Sequence, residues 1–257
     1  MRGGVNNCKE VLTMQSELRE FLSTLLPYAF GGAAKKAFLR NKKPPEVKVF
    51  ACYLYLHGPS FRQAQRLLED LELNVAHSAI WYWLQQVGAK VGGELVGRKR
   101  RRCLVVDETE VHTKSGWIYV FAAVDPENRE VVGVLATRYR ESIDALRFLR
   151  RCLRYCRGKP TIATDGGPWY RWPTRRLGLE HVVMCGGERN YIERWFETLK
   201  DRLRAFDCYF PTYDLKSVQN FCWAFGFLYN RCRWHQSMKG PPSGGEGGLK
   251  AWAEVFI

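Results

Sequence analysis

Apolar residues recur at helical spacing from Glu46 to Val91, and from Cys103 they give way to short β-branched and aromatic runs. In the first stretch, Val47–His57 reads as a helix that Gly58-Pro59-Ser60 interrupts. Ser60 stands where an N-cap would open a second helix over Phe61–Leu71. Asn74-Val75-Ala76-His77 then makes a short turn, and Ser78 is placed to cap a third helix through Val91. In that helix Ile80, Trp83, Leu84 and Val87 fall at i, i+3, i+4 and i+7, which predicts a core face. Three short helices with a tight turn before the last form the layout of a helix-turn-helix module, or equally of a plain helical unit. The opposite face would carry Ala79, Trp81, Tyr82, Gln85 and Gln86. Glutamine can pair with adenine in the major groove, while arginine, the usual reader of guanine, is missing from this face.

The second stretch changes period. Cys103–Val106 is an apolar run ending at Asp107, and Gly116–Val124 and Glu130–Thr137 follow, joined by the turn Asp125-Pro126-Glu127-Asn128. Together they predict an antiparallel meander. A helix is expected over Ser142–Tyr155, a fourth strand over Pro160–Thr164 ending at Asp165, and a short helix after Gly166-Gly167-Pro168. A fifth strand, His181–Met184, a helix over Asn190–Phe206 and a long helix over Leu215–Arg233 complete the pattern. The order β-β-β-α-β-α-β-α is that of the ribonuclease H-like fold, an α/β (α+β) class with a mixed five-stranded sheet and flanking helices. Ahead of these segments, Gln15–Leu26 reads as an amphipathic helix, followed by a basic stretch that Pro44-Pro45 closes. The divisions expected are 1–45 (helix and basic linker), 46–97 (helix-turn-helix), 98–210 (catalytic domain) and 211–257 (terminal helix and a Gly-rich tail).

Charge narrows the partners. A formal net charge of +14 predicts attraction to a polyanion, with nucleic acid the first candidate and an anionic membrane surface the rival. No stretch has the roughly 20 uninterrupted apolar residues of a membrane span, and the first residues do not read as a signal peptide, so a cytoplasmic, nucleoid-associated protein is expected. The five consecutive basic residues Arg98, Lys99, Arg100, Arg101 and Arg102 read either as a solvated linker or as a phosphate contact. Nine cysteines scattered through apolar segments, none in a C-x-x-C pair, read as reduced core thiols rather than a zinc site.

Two acids close buried-type strands: Asp107 after CLVV and Asp165 after TIAT. If those strands are neighbours, both carboxylates emerge at the carboxyl end of the sheet, where ligand sites form. Paired carboxylates repel and invite a divalent cation with oxygen preference, Mg²⁺ or Mn²⁺. A third acid would come from the helix at 190–206, where Glu193 borders the apolar stripe and Glu197, one turn on, competes. On spacing alone each also reads as an ordinary helix ion-pair partner, and the choice stays open. Glu108, next to Asp107, should point to the opposite face of the strand. Asp125 belongs to its turn, and Asp144 to the first turn of a helix.

With VVDETEV at 105–111, ATRYRESIDALRFLRR at 136–151, GKPTIATDGGPWYR at 158–171 and RNYIERWFETLKDRLRAF at 189–206 in this order, the chain resembles the DDE transposases of prokaryotic insertion sequences. FLYNRCRWH at 227–235 is similar to that family's closing segment. The resemblance implies Asp107, Asp165 and Glu193 as the catalytic acids and metal ligands, preferring Glu193 to Glu197. It also implies two metal ions, cleavage of a phosphodiester at the element's 3′ end, and attack of the freed 3′-OH on target DNA. The expected partners are double-stranded DNA, as terminal inverted repeats and target, and a second copy of the chain. Arg194 and Lys200 beside the third acid, Tyr82, Gln85 and Gln86, and Arg98–Arg102 are the candidate DNA contacts. A transposase-derived protein that only binds DNA, and a related nuclease that cuts without joining, are the alternatives.

Overall fold

Local sequence signals account for where the first two helices of the N-terminal part begin. In this computed structural model the described residues are 43–254, apart from 94, 115, 185–189, 204–208 and 211–213; of Tyr209 only the backbone is described. Helix α1 (Pro45–Leu56) opens with proline at its first position, where a missing N–H costs nothing. Helix α2 (Phe61–Asp70) carries the full capping box: Ser60 Oγ accepts from Gln63 N, and Gln63 Oε1 accepts from Ser60 N. Helix α3 (His77–Val91) starts one residue before the expected cap at Ser78. Gln65 of α2 takes over the capping from outside, its Oε1 accepting from His77 N at 3.0 Å. Ile80, Trp83, Leu84 and Val87 are all buried, as their spacing predicts.

By backbone contacts the chain forms two compact units, one ending at Trp83 and taking in the segment from Gly248, the other running from Leu84 to Gly247. The dividing point lies inside α3. In the first unit the tail, which carries no readable pattern, supplies a short terminal helix over Gly248–Ala253. Its Trp252 is fully buried and donates from Nε1 to Val49 O at 3.0 Å. The amphipathic helix expected at 15–26 lies outside the described residues.

The second unit is built on a mixed sheet. Strands β2 (Cys103–Thr113), β3 (Gly116–Val124) and β4 (Val131–Thr137) form the antiparallel meander. Strands β6 (Thr161–Thr164) and β7 (His181–Val183) add on parallel to β2, giving the order β4-β3-β2-β6-β7 expected of the ribonuclease H-like fold. A sixth, two-residue strand, β8 (Tyr209–Phe210), pairs with the far end of β2. A separate parallel pair joins β1 (Lys99–Arg100) to β5 (Cys156–Arg157). Strand β2 does not stop at Val106: it runs on through Asp107 to Thr113, in unbroken register with β3 from Val105↔Val124 to Thr113↔Gly116. Its acids are tolerated because successive residues face opposite sides, leaving Glu110 exposed while Val111 is buried.

Helices cover both faces. On one side α4 (Ser142–Leu153) and α5 (Pro168–Leu177) meet Phe121, whose ring lies 5.8 Å from Phe148 and 6.3 Å from Tyr170. On the other lie α6 (Asn190–Leu203) and α7 (Leu215–Arg231), joined by the Trp195–Phe225 contact at 6.3 Å. The outer edge of β4 is closed by two side-chain amides of α7. Gln219 accepts from Ala136 N (2.8 Å) and donates to Val134 O (3.2 Å); Asn230 accepts from Val131 N (2.8 Å) and donates to Val131 O (2.9 Å). Eleven helical residues and five strand residues both span about 16 Å, so one helix reaches two points on one strand.

The basic run at 98–102 is not a free linker. Arg101 is fully buried, with its guanidinium 2.6 Å from Asp125 and 2.8 Å from Glu130. This corrects the expectation that all five residues face phosphate: Arg101 closes the β3–β4 turn from beneath. Lys99 also pairs with Glu130, at 2.7 Å, while Arg98, Arg100 and Arg102 remain exposed.

Candidate active site

Strands β2 and β6 pair in parallel with Cys103↔Thr161, Leu104↔Ile162 and Val105↔Ala163. Carried two residues further, the same register sets Asp107 level with Asp165. Residues in register on parallel strands share a face, so both acids belong to the carboxyl end of the β2–β6 pair. Asp107 is buried at 5% exposure, and its Oδ1 accepts from Glu108 N at 2.9 Å. Asp165, just past β6, is exposed and held by a tight turn: its Oδ1 accepts from Gly167 N (3.0 Å), and Thr164 Oγ1 accepts from Gly166 N (3.0 Å). Gly166 has φ +90°, which glycine adopts without strain.

Asp107 pairs across the meander with Ala122, next to Phe121 and therefore on the face away from α4 and α5. Helix α6 packs on β2 and β3. It buries Ile192, Trp195, Phe196, Leu199 and Leu203, which leaves Glu193, Arg194, Glu197 and Lys200 exposed. Tyr191, two residues before Glu193, has the Arg129 guanidinium 5.2 Å from its ring, so the start of α6 stands at the β3–β4 turn. Among the described residues, no three His, Cys, Asp or Glu side chains form a group that could hold a metal ion. Asp107 on β2 and Asp165 just past β6 thus both follow the last paired residues of these parallel strands by two positions. Glu193 is in the first turn of the helix that packs on β2 and β3.

Glu108 is the residue whose role went unread. It faces away from Asp107, as strand alternation requires, and enters a nearly closed niche. Tyr170 Oη donates to its Oε2, Trp169 Nε1 donates to the same oxygen at 3.3 Å, and Arg140 lies 3.4 Å from Oε1. Burial pushes its carboxyl up, and the charge of Asp165 adds to the rise, against the hydrogen bonds and Arg140. Arg140 also lies 4.3 Å from the Trp169 ring centre. The only sequence signal was the place of Trp169 and Tyr170 in PWYR, directly after Asp165-Gly166-Gly167, since none of these partners is near Glu108 in the chain.

A family model described as a DDE domain matches residues 102–226. The uncharacterized protein MJ0017 of Methanocaldococcus jannaschii is 33% identical over 76% of this chain and 91% of its own length. The chain belongs to the DDE transposases of insertion sequences. Among its relatives in that family is the transposase of an IS431mec element of Staphylococcus aureus, 25% identical over 48% of this chain and 55% of its own length. The chain therefore spans about half of that protein, against nearly all of MJ0017. The HTLV-2 integrase catalytic core solved in complex with magnesium aligns at a TM-score of 0.44 and 18% identity, covering 57% of this chain and 97% of that one.

The match to the DDE transposases begins after the three helices, whose expected DNA-facing residues divide. Tyr82 is 57% exposed, whereas Gln85 and Gln86 are half-buried. Gln85 Oε1 accepts from Asn220 Nδ2 of α7 at 3.2 Å, which turns that amide toward the protein. The six described cysteines are free thiols, five of them buried. Among the described residues no helix is long and apolar enough to cross a membrane.

Proposed function

We propose that this DDE transposase cuts the phosphodiester at the 3′ end of its element and joins that end to target DNA, with Asp107, Asp165 and Glu193 as the acids. The observation that supports this is the parallel β2–β6 register, whose last pair, Val105↔Ala163, comes two residues before Asp107 and Asp165. Their donor set is all oxygen, and two neighbouring carboxylates suit a divalent cation such as Mg²⁺ or Mn²⁺. Asp107 and Asp165 would hold it from the sheet and Glu193 from α6. Bound there, two such ions would supply an activated water and neutralise the leaving 3′ oxygen.

The protein's own groups do the rest. The Thr164–Gly167 turn fixes the Asp165 carboxylate at the strand end. Glu108, held from the other side by Tyr170, Trp169 and Arg140, stays out of the acid set. Arg194 and Lys200, exposed on α6 beside Glu193, hold phosphate oxygens of the DNA; Arg98, Arg100 and Arg102 of the same unit and, separately, Tyr82 of the first unit are further contacts. Because two element ends must meet, at least two copies work together on double-stranded DNA.

Single-turnover reactions on DNA carrying the element's terminal inverted repeats test this reading. With Mg²⁺ the parent should release the 3′ end and join it to a second duplex. Asp107→Asn, Asp165→Asn and Glu193→Gln should each lose about 10²–10³-fold in rate, the usual scale for one electrostatic element of a site. Glu197→Gln should stay near the parent. Binding without cleavage would make the protein a transposase-derived DNA binder, and cleavage without joining a nuclease. Either result overturns the proposal.

A further inference from the structure

A second charged surface lies two strands away from the acids. Arg147, Arg150, Arg151 and Arg154 occupy i, i+3, i+4 and i+7 of the α4 region, all on one exposed side. With Arg138 and Lys216 they line a cleft of about 880 Å³, floored by the Leu135–Thr137 end of β4 and by Trp223. Only two carboxylates join them, and both are engaged. Asp144 stands 3.6 Å from Arg147, and Asp214 caps α7 by accepting from Lys216 N and Ser217 N. Among the described residues, Arg150, Arg151 and Arg154 have no acidic partner. Basic residues in the last turn of a helix complement its dipole, which accounts for one or two of them. It does not account for two more cations converging from β4 and α7 on the same cleft.

The cleft and the acid-bearing strands belong to one sheet. Leu135–Thr137 pair with Tyr119–Phe121, which pair with Glu108–Glu110, the segment after Asp107. Arg140, ion-paired to Glu108, starts the basic path, and Arg138 and the α4 stripe continue it.

We propose that this cleft is a sequence-independent binding site for the phosphate backbone of duplex DNA, beyond the phosphodiester at Asp107 and Asp165. It rests on the transposase reading, which puts DNA at those acids. Three cations without acid partners, Arg150, Arg151 and Arg154, fit a polyanion whose charges repeat along a line, and the contact is read through released counterions rather than bases.

The test is the salt dependence of binding to an arbitrary 20-base-pair duplex, with the full chain and EDTA present so that no reaction occurs. Replacing Arg150, Arg151 and Arg154 together by Gln should make the slope of log K against log salt shallower by about 2 to 3. The Lys triple should bind as the parent does. An unchanged slope in the Gln triple overturns the proposal, and so does a Lys triple as weak as the Gln triple, since the loss would not then be one of charge. A Gln triple that binds DNA normally but no longer self-associates in sedimentation assigns the cleft to a second copy, and also overturns it. A parent that fails to join DNA ends while the slope shift persists sinks the transposase reading and leaves the cleft standing.

Discussion

Asp107 and Glu108 are chain neighbours with opposite surroundings, and strand alternation separates them. Glu108 is poised by burial to hold its proton longer than an ordinary glutamate, whose value is about 4.3. A carboxyl raised by folding stabilises the fold fully below its unfolded value, and that stabilisation is lost as pH climbs through the raised one. Urea unfolding at a series of pH values above about 4.3 should therefore show the parent losing stability. Glu108→Gln should lose less, because the amide oxygen still accepts from Tyr170 and Trp169 without a buried charge. Superimposable pH profiles for the two proteins would remove Glu108 from that role. The variant keeps Asp107 and Asp165, so any loss of DNA joining would report how Trp169 and Arg140 are positioned.

Helices α3 and α7 cross closely enough that one residue controls the contact. A Cβ added at Gly88 would run into the backbone carbonyl of Asn220, a rigid neighbour that cannot swing aside. Gly88→Ala should cost about 1–3 kcal/mol, the range for overpacking a core, although alanine is the better helix former. Thermal unfolding would detect it, and a variant as stable as the parent would show that the helices are free to part. Elements such as these were unevenly legible in the sequence. The meander, α4, β6 and α6 announced themselves through local periodicity, and the choice of Asp107 and Asp165 as candidate acids rested on it. Residues whose partners are distant were read wrongly or missed: β2 looked finished at Val106 because its polar half is held by the long β3 hairpin. Arg101 looked like linker because Asp125 and Glu130 come into reach only when the turn folds over it. Trp252, in a tail without pattern, is buried only by packing on α1.

The molecule as a whole couples its proposed metal site to its stability, because carboxylates held level by the sheet repel one another until a cation is bound. Mg²⁺ or Mn²⁺ should raise the melting temperature of the parent, by the equivalent of about 2.7 kcal/mol at a hundred times the dissociation constant. Asp107→Asn and Asp165→Asn should not respond, and a parent indifferent to both ions would remove the metal site from these residues. Calorimetry reads this without any DNA, so it tests the ligands apart from the reaction. The amides of Gln219 and Asn230 bear on how copies of the protein can join. Because they occupy the hydrogen-bonding groups of β4, a neighbouring molecule finds no template there on which to zip a strand. Copies brought together on two DNA ends, as proposed, would meet through side chains and helices at that margin, which would allow them to come apart again without either sheet being pulled open.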